Sequence, residues 1–165
     1  MIIDLKRIFA NDDASMPIDR SLDMSSVEFS GVFPLKKPVK MTGSVFSRAS
    51  IVRLSAKLSY TYEASCDRCG ADAARSYTVD VEKMLAASLE GEENDDIILV
   101  PDMKLDLDEL IYTETIVSIP TKHLCREDCR GICAKCGKNL NEGKCSCPEK
   151  ETDPRLAALA ELLNN

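Results

Sequence analysis

IVRLSAKLSYTY, residues Ile51–Tyr62, is the stretch whose pattern decides the fold. Val52, Leu54, Ala56, Leu58 and Tyr60 alternate with Ile51, Arg53, Ser55, Lys57 and Ser59. This period of two is that of a strand with one face buried and the other in water. It puts Arg53 and Lys57 together on the wet face. Just upstream, Ser47-Arg48-Ala49-Ser50 suits a hairpin turn, and Val39–Phe46 suits the strand before it. Downstream, Arg75–Leu85 alternates again, with Tyr77, Val79, Val81, Lys83 and Leu85 on one side. Ile97–Val100 is a short strand stopped by Pro101. Met1–Phe9 reads as a first strand, and a β-like stretch runs from Val27 through Val32-Phe33 to a turn at Pro34. The rest of residues 1–28 has no decisive pattern.

Two segments have helical signals. Asp106 with Glu109 three residues later forms a capping-box pattern, and Leu107, Leu110, Ile111, Glu114 and Val117 follow the helical period until Pro120. Asp153-Pro154 supplies a second start, an N-cap followed by proline, with Leu156, Leu159, Leu162 and Leu163 as an apolar stripe for docking on the chain's own core. The expected fold class is α+β: a mostly antiparallel sheet or meander, one or two helices, and a cysteine-rich zinc-knuckle region near the C-terminus. The expected organisation is a β-rich domain over 1–120, a cysteine-rich zinc-binding segment over 121–150 and a C-terminal helix over 151–165.

The chain has 165 residues, 44% apolar and 30% charged, with no Trp, four Tyr and four Phe, so its core must rest on aliphatic side chains. The start lacks the pattern of a secretory signal, and no apolar run is long enough to span a bilayer. The expected location is the cytoplasm, where thiols stay reduced. The net charge of −7 is unevenly spread. Gly31–Tyr62 contains no acid and carries Lys36, Lys37, Lys40, Arg48, Arg53 and Lys57, whereas Asp80–Glu114 has twelve acids against Lys83 and Lys104. A local basic face could contact phosphates, an acidic segment could meet a basic partner, and either run can equally be solvated surface.

The eight cysteines fall in pairs: Cys66/Cys69, Cys125/Cys129, Cys133/Cys136 and Cys145/Cys147. A C-x-x-C turn followed by glycine aims two thiolates at one ion, as at Cys66–Gly70 and Cys133–Gly137. Cys133, Cys136, Cys145 and Cys147 make one compact four-thiolate site. Cys66, Cys69, Cys125 and Cys129 make a second that clasps the sheet to the later segment. Two Zn2+ ions are therefore expected. Iron–sulfur ligation, another sharing of Cys129 and Cys133, and His123 in a Cys3His set are the alternatives. Lys122, Arg126, Arg130, Lys135, Lys138 and Lys144 surround these cysteines and can balance thiolate charge or touch phosphate. One histidine, no phosphate-binding glycine loop and no open metal site leave no catalytic residue to name, so the chain is read as a non-enzyme without a small-molecule substrate.

The stretch Cys125-Arg126-Glu127-Asp128-Cys129-Arg130-Gly131-Ile132-Cys133-Ala134-Lys135-Cys136-Gly137-Lys138-Asn139-Leu140-Asn141, closing with Cys145-Ser146-Cys147, resembles the C-terminal signature of the YceD family, the large ribosomal RNA subunit accumulation proteins. Cys66-Asp67-Arg68-Cys69 after a β segment and Asp153-Pro154-Arg155-Leu156 fit the same pattern. Residues 1–60 are similar to it only in β character and in the position of Gly43. The resemblance implies a non-enzymatic role in producing or stabilising 23S ribosomal RNA during large-subunit assembly, with ribosomal RNA or a large-subunit ribosomal protein as partner. Charge alone nominates Lys36, Lys37, Lys40, Arg48, Arg53 and Lys57 as the RNA face. The alternative is an adaptor whose acidic segment Asp80–Glu114 binds a basic ribosomal protein.

Overall fold

A computed structural model describes residues 1–88 and 96–147. Strands β1 (Ile2–Asp4), β2 (Ser15–Leu22), β3 (Val39–Arg48), β4 (Ile51–Ser65), β5 (Asp72–Ala86), β6 (Ile97–Leu99) and β7 (Lys104–Asp106) are joined by helices α1 (Lys6–Ala10) and α2 (Leu107–Ser118). The main sheet has the order β2-β3-β4-β5-β6 and is antiparallel except for β5–β6, which is parallel. β1 and β7 form a small separate antiparallel pair. The expected meander with helices is the observed architecture.

The alternation in Ile51–Tyr62 is realised residue by residue. Val52, Leu54, Ala56, Leu58 and Tyr60 are buried, while Ile51, Arg53, Ser55, Lys57 and Ser59 are exposed. The β3–β4 link is tighter than the four-residue turn implies, because Arg48 already pairs with Ile51. Ala49 and Ser50 alone make the reversal, both at positive φ, 51° and 61°. That geometry suits glycine or asparagine better. Here Asp12 holds it, accepting hydrogen bonds from Ser50 N at 2.9 Å and Ser47 Oγ at 3.2 Å.

Helix α2 covers the inner face of the sheet. Leu107, Leu110 and Ile111 pack with Leu5 and Ile8 from the N-terminal segment and Met41, Val45, Leu54 and Leu58 from the strands. Each fully buried leucine contributes about 2 kcal/mol. The Asp106 cap forms through Asp108 N at 2.9 Å, one position earlier than the capping-box spacing. The buried stripe then passes through Thr115, whose Oγ1 donates to Ile111 O, and leaves Val117 79% exposed instead of in the core. At the far end Tyr60 Oη donates to Ser118 O at 2.8 Å, tying α2 to β4.

Two expectations for the N-terminal third change, and one segment without a decisive pattern is ordered. Met1–Phe9 is not one strand but β1 followed by α1, since Leu5, Ile8 and Phe9 follow a helical spacing. Val27–Phe33 holds only an isolated bridge between Phe29 and Val32. Ser15–Leu22 is a strand on the sheet edge, where Pro17 is tolerated because an edge residue has no obligatory ladder donor. Residues 89–95 of the acidic segment and the expected helix from Asp153 lie outside the described residues. No helix among the described residues is long and apolar enough to cross a membrane.

Asp108 anchors the start of α2 to the edge strand. Arg20 grips it with Nε at 2.8 Å and Nη2 at 3.0 Å, and the Met1 amine lies 2.6 Å away. The Arg20 guanidinium first, and the amine next, hold the Asp108 carboxyl at about 2, below its ordinary 3.8. A folded-state pKa below the unfolded one gives stability that is complete above about pH 4 and is lost as pH falls through about 2. Asp108→Asn should therefore lower stability at neutral pH and flatten the acid limb of a stability–pH curve. An unchanged acid limb would show that the ion pair contributes nothing.

Candidate metal centre

The β4–β5 hairpin ends in the turn Cys66-Asp67-Arg68-Cys69-Gly70. Gly70 takes positive φ (71°), and its N–H closes the turn on Cys66 O at 2.8 Å. The segment after α2 is fastened against this turn. Asp67 N donates to His123 O at 2.9 Å, and His123 N donates to Asp67 Oδ2 at 2.7 Å. Arg68 Nη1 reaches Cys129 O at 2.9 Å. Gly131 sits at positive φ (73°) with its position for a Cβ 3.1 Å from Arg68 O, so a side chain there would be both strained and crowded.

These contacts bring the sulfurs of Cys66, Cys69, Cys125 and Cys129 within 4.8 Å of one another, and those of Cys133, Cys136, Cys145 and Cys147 likewise. The grouping is the one expected from spacing. His123 stands in neither cluster. Its ring is buried, Nε2 lies 3.1 Å from Ala73 O, and the ring packs 5.0 Å from that of Tyr62. It braces the hairpin tip instead of offering a ligand.

The sulfur spacings test whether a metal fits. Four thiolates about 2.3 Å from a tetrahedral ion lie about 3.8 Å apart. Cys66 Sγ is 3.8 Å from Cys129 Sγ, and Cys69 Sγ is 3.7 Å from Cys125 Sγ. A disulfide would need about 2.05 Å. Backbone amides also point at the sulfurs. Burial works to raise the Cys66 thiol, but the N–H groups of Cys125, Arg68 and Cys69 outweigh it and hold it at about 6. Cys133 is held at about 6 by the N–H groups of Cys136 and Lys135. Burial and the neighbouring thiols push Cys125 up to about 12, and the Cys136 thiol and burial do the same to Cys147. Each cluster thus sets a thiol held low beside one pushed up. A dication held by these sulfurs would relieve that opposition by placing positive charge beside every thiolate. Both clusters could hold a metal ion.

The family model described as "Large ribosomal RNA subunit accumulation protein YceD" matches residues 54–163, from β4 through both cysteine clusters. The chain belongs to the YceD family. The Arabidopsis thaliana protein named "Large ribosomal RNA subunit accumulation protein YCED homolog 1, chloroplastic" is 24% identical over 79% of this chain and 50% of its own length. An uncharacterized protein of Mycobacterium tuberculosis is 30% identical over 59% of this chain and 49% of its own. One of Mycobacterium leprae is 34% identical over 43% of this chain and 32% of its own. The chain thus spans half or less of the length of these curated relatives. No solved structure matches. The YceD family is implicated in accumulation of large-subunit ribosomal RNA.

The six basic residues do not form a bare cationic patch. Lys40 pairs with Asp19 at 3.2 Å, Lys57 with Asp80 at 3.4 Å and Lys36 with Glu63 at 3.4 Å. The pairs at Lys40 and Lys57 cross between neighbouring strands, so acids distant in sequence land beside the basic stretch. Lys37, Arg48 and Arg53 are exposed. The acidic run is likewise dispersed, with Asp80 on β5, Glu114 paired to Lys83 at 3.3 Å, and Asp106 and Asp108 at the start of α2. Of the cations around the cysteines, Arg126 pairs with Asp128 and donates to Asn141, and Lys138 donates to Lys144 O.

Proposed function

We propose that this chain is a non-enzymatic zinc-binding factor that supports 23S ribosomal RNA synthesis, processing or stability during large-subunit assembly in the cytoplasm. Two Zn2+ ions would be held by Cys66, Cys69, Cys125 and Cys129, and by Cys133, Cys136, Cys145 and Cys147. The observation that carries the metal half is the 3.7–3.8 Å sulfur spacing in the first cluster, the edge of a zinc–thiolate tetrahedron, with the second cluster's four sulfurs gathered within 4.8 Å. Family membership carries the ribosomal half. Four thiolates close the coordination sphere and leave no place for a reacting water, which favours a structural role. The test is to count metal in the purified chain and, in cells carrying Cys125→Ser/Cys133→Ser as the sole copy, to compare 23S with 16S RNA. Two zinc ions per wild-type chain and a selective fall in 23S RNA in the variant are expected. A visible iron–sulfur spectrum, or 23S RNA at its normal level, would overturn the corresponding half.

Direct RNA contact would use the outer sheet face and the segment just before β3, with Lys37, Arg48 and Arg53 as leading phosphate contacts and Lys36, Lys40 and Lys57 already partnered. Replacing the three by alanine should weaken binding to large-subunit RNA fragments and reduce the salt slope by about two to three units. An unchanged slope would favour the adaptor, a basic ribosomal protein bound through the acidic segment. The ion pairs within the basic face give that second reading its support. A partner still retained after nuclease treatment would identify it.

A further inference from the structure

Asn141 belongs to one cluster by sequence and to the other by contact. It lies in the loop between Cys136 and Cys145, both in the second cluster. Yet its Nδ2 donates to Cys129 Sγ, in the first cluster, at 3.3 Å. The amide's orientation is fixed by its other partners. Oδ1 accepts from Arg126 Nη2 and from Arg130 N, both at 2.8 Å, and Nδ2 also donates to Asn139 Oδ1 at 2.8 Å. Two donors must face the oxygen, so the nitrogen must face the sulfur. The loop is held in register by Leu140 N donating to Gly131 O at 2.9 Å and by Cys133 N donating to Lys138 O at 2.8 Å.

A hydrogen bond donated to a metal-bound thiolate offsets part of its charge and fixes its direction, and removing such a partner typically weakens metal binding about 10–100-fold. The loop bearing Asn141 has no apolar core of its own. Its ends are drawn together by the second cluster, aided by Lys138 Nζ donating to Lys144 O at 3.1 Å. We propose that Asn141 is a positioning residue that couples the two metal sites, so that an ion in the second cluster tightens the first cluster's hold on its own ion. The coupling is reciprocal by thermodynamic necessity. It also gives an order of loss. The second cluster includes the exposed Cys136, while the first contains buried Cys66 and Cys129, so the outer ion leaves first and its departure loosens the inner one.

This inference rests on the metal reading above, and the experiment separates the two. The 165-residue chain is loaded with Zn2+ alone and titrated with a chelator of known affinity, with native mass spectrometry counting ions and circular dichroism following the sheet. Three variants are compared with wild type. Cys145→Ser/Cys147→Ser disables the second cluster. Asn141→Asp keeps the size and the acceptors for Arg126 and Arg130 but removes the N–H aimed at Cys129. The third combines them. The first cluster should release zinc about tenfold more readily when the second is disabled, and similarly in Asn141→Asp. In the combined variant the second cluster's state should no longer matter. Equal first-site affinity with and without the second ion overturns the coupling. A tenfold dependence that survives Asn141→Asp assigns it to the backbone between Cys129 and Cys133 and overturns the role of Asn141. A wild-type chain that takes up no zinc overturns the metal reading and this inference together, whereas two independent ions overturn this inference alone.

Discussion

Cys66→Ser should remove one zinc ion per chain and release residues 121–147 from the sheet while β2–β5 stay folded. The later segment has almost no core. Of residues 121–147 only His123, Cys129 and Gly131 are buried, and Ile132 is 51% exposed. Its tertiary order rests on the two cysteine clusters and a few hydrogen bonds to the hairpin tip. The sheet, by contrast, has Val45, Leu54, Leu58 and Val81 packed under α2, away from the cysteines. Structural zinc supplies about 10–16 kcal/mol in small domains that depend on it. Losing the ion removes that contribution from the clasp, so amide exchange within 121–147 should speed up by about a hundredfold or more. Hydrogen exchange with mass detection measures it segment by segment. Two ions per chain and unchanged protection in Cys66→Ser would show that this sulfur is not a ligand.

Gly43→Ala should be the most damaging single substitution in the sheet. Gly43 pairs with Ala56, and a Cβ on it would lie 2.3 Å from Ser55 O, 2.4 Å from Ala56 Cα and 2.7 Å from Ala56 Cβ. The nearest obstacles are backbone, which cannot swing aside like a side chain. Either β3 moves away from β4 or their ladder breaks, at a cost of about 3 kcal/mol or more. Urea titration should show a lower midpoint at unchanged slope. Ala56→Gly should fail to rescue it, because two of the three clashes are with main-chain atoms. A loss below about 1 kcal/mol would mean that the strands can separate easily there.

The central strands were legible because β4 and β5 bury one face and wet the other, so their chemistry alternates strictly. The edge strand β2 was not. Pro17, Asp19 and Arg20 interrupt any simple alternation, and only the edge position and the pairing of Arg20 with Asp108 make them acceptable. In α2 the apolar pattern pointed to Val117, whereas the buried face turns through Thr115, a polar side chain satisfied by Ile111 O. The cysteine grouping was legible from spacing, since two close C-x-x-C-type pairs can meet locally. The roles of Asp67, Arg68 and Asn141 were not. The sequence Lys138-Asn139-Leu140-Asn141 carried a turn signal, but a contact with Cys129 needs the three-dimensional path of the loop. The basic stretch was read without its neighbours, and the strand register then set Asp19 and Asp80 beside it.

Strands β4 and β5 are fifteen residues each, and their pairing runs from Val52↔Leu85 to Ser65↔Asp72. At the usual rise this is a beam about 45 Å long. The clustered cysteines cap one tip, and the Ala49-Ser50 reversal lies at the other. Anything bound at the cysteine tip therefore lies about 45 Å from the Ala49-Ser50 reversal, too far for the two ends to touch one small ligand.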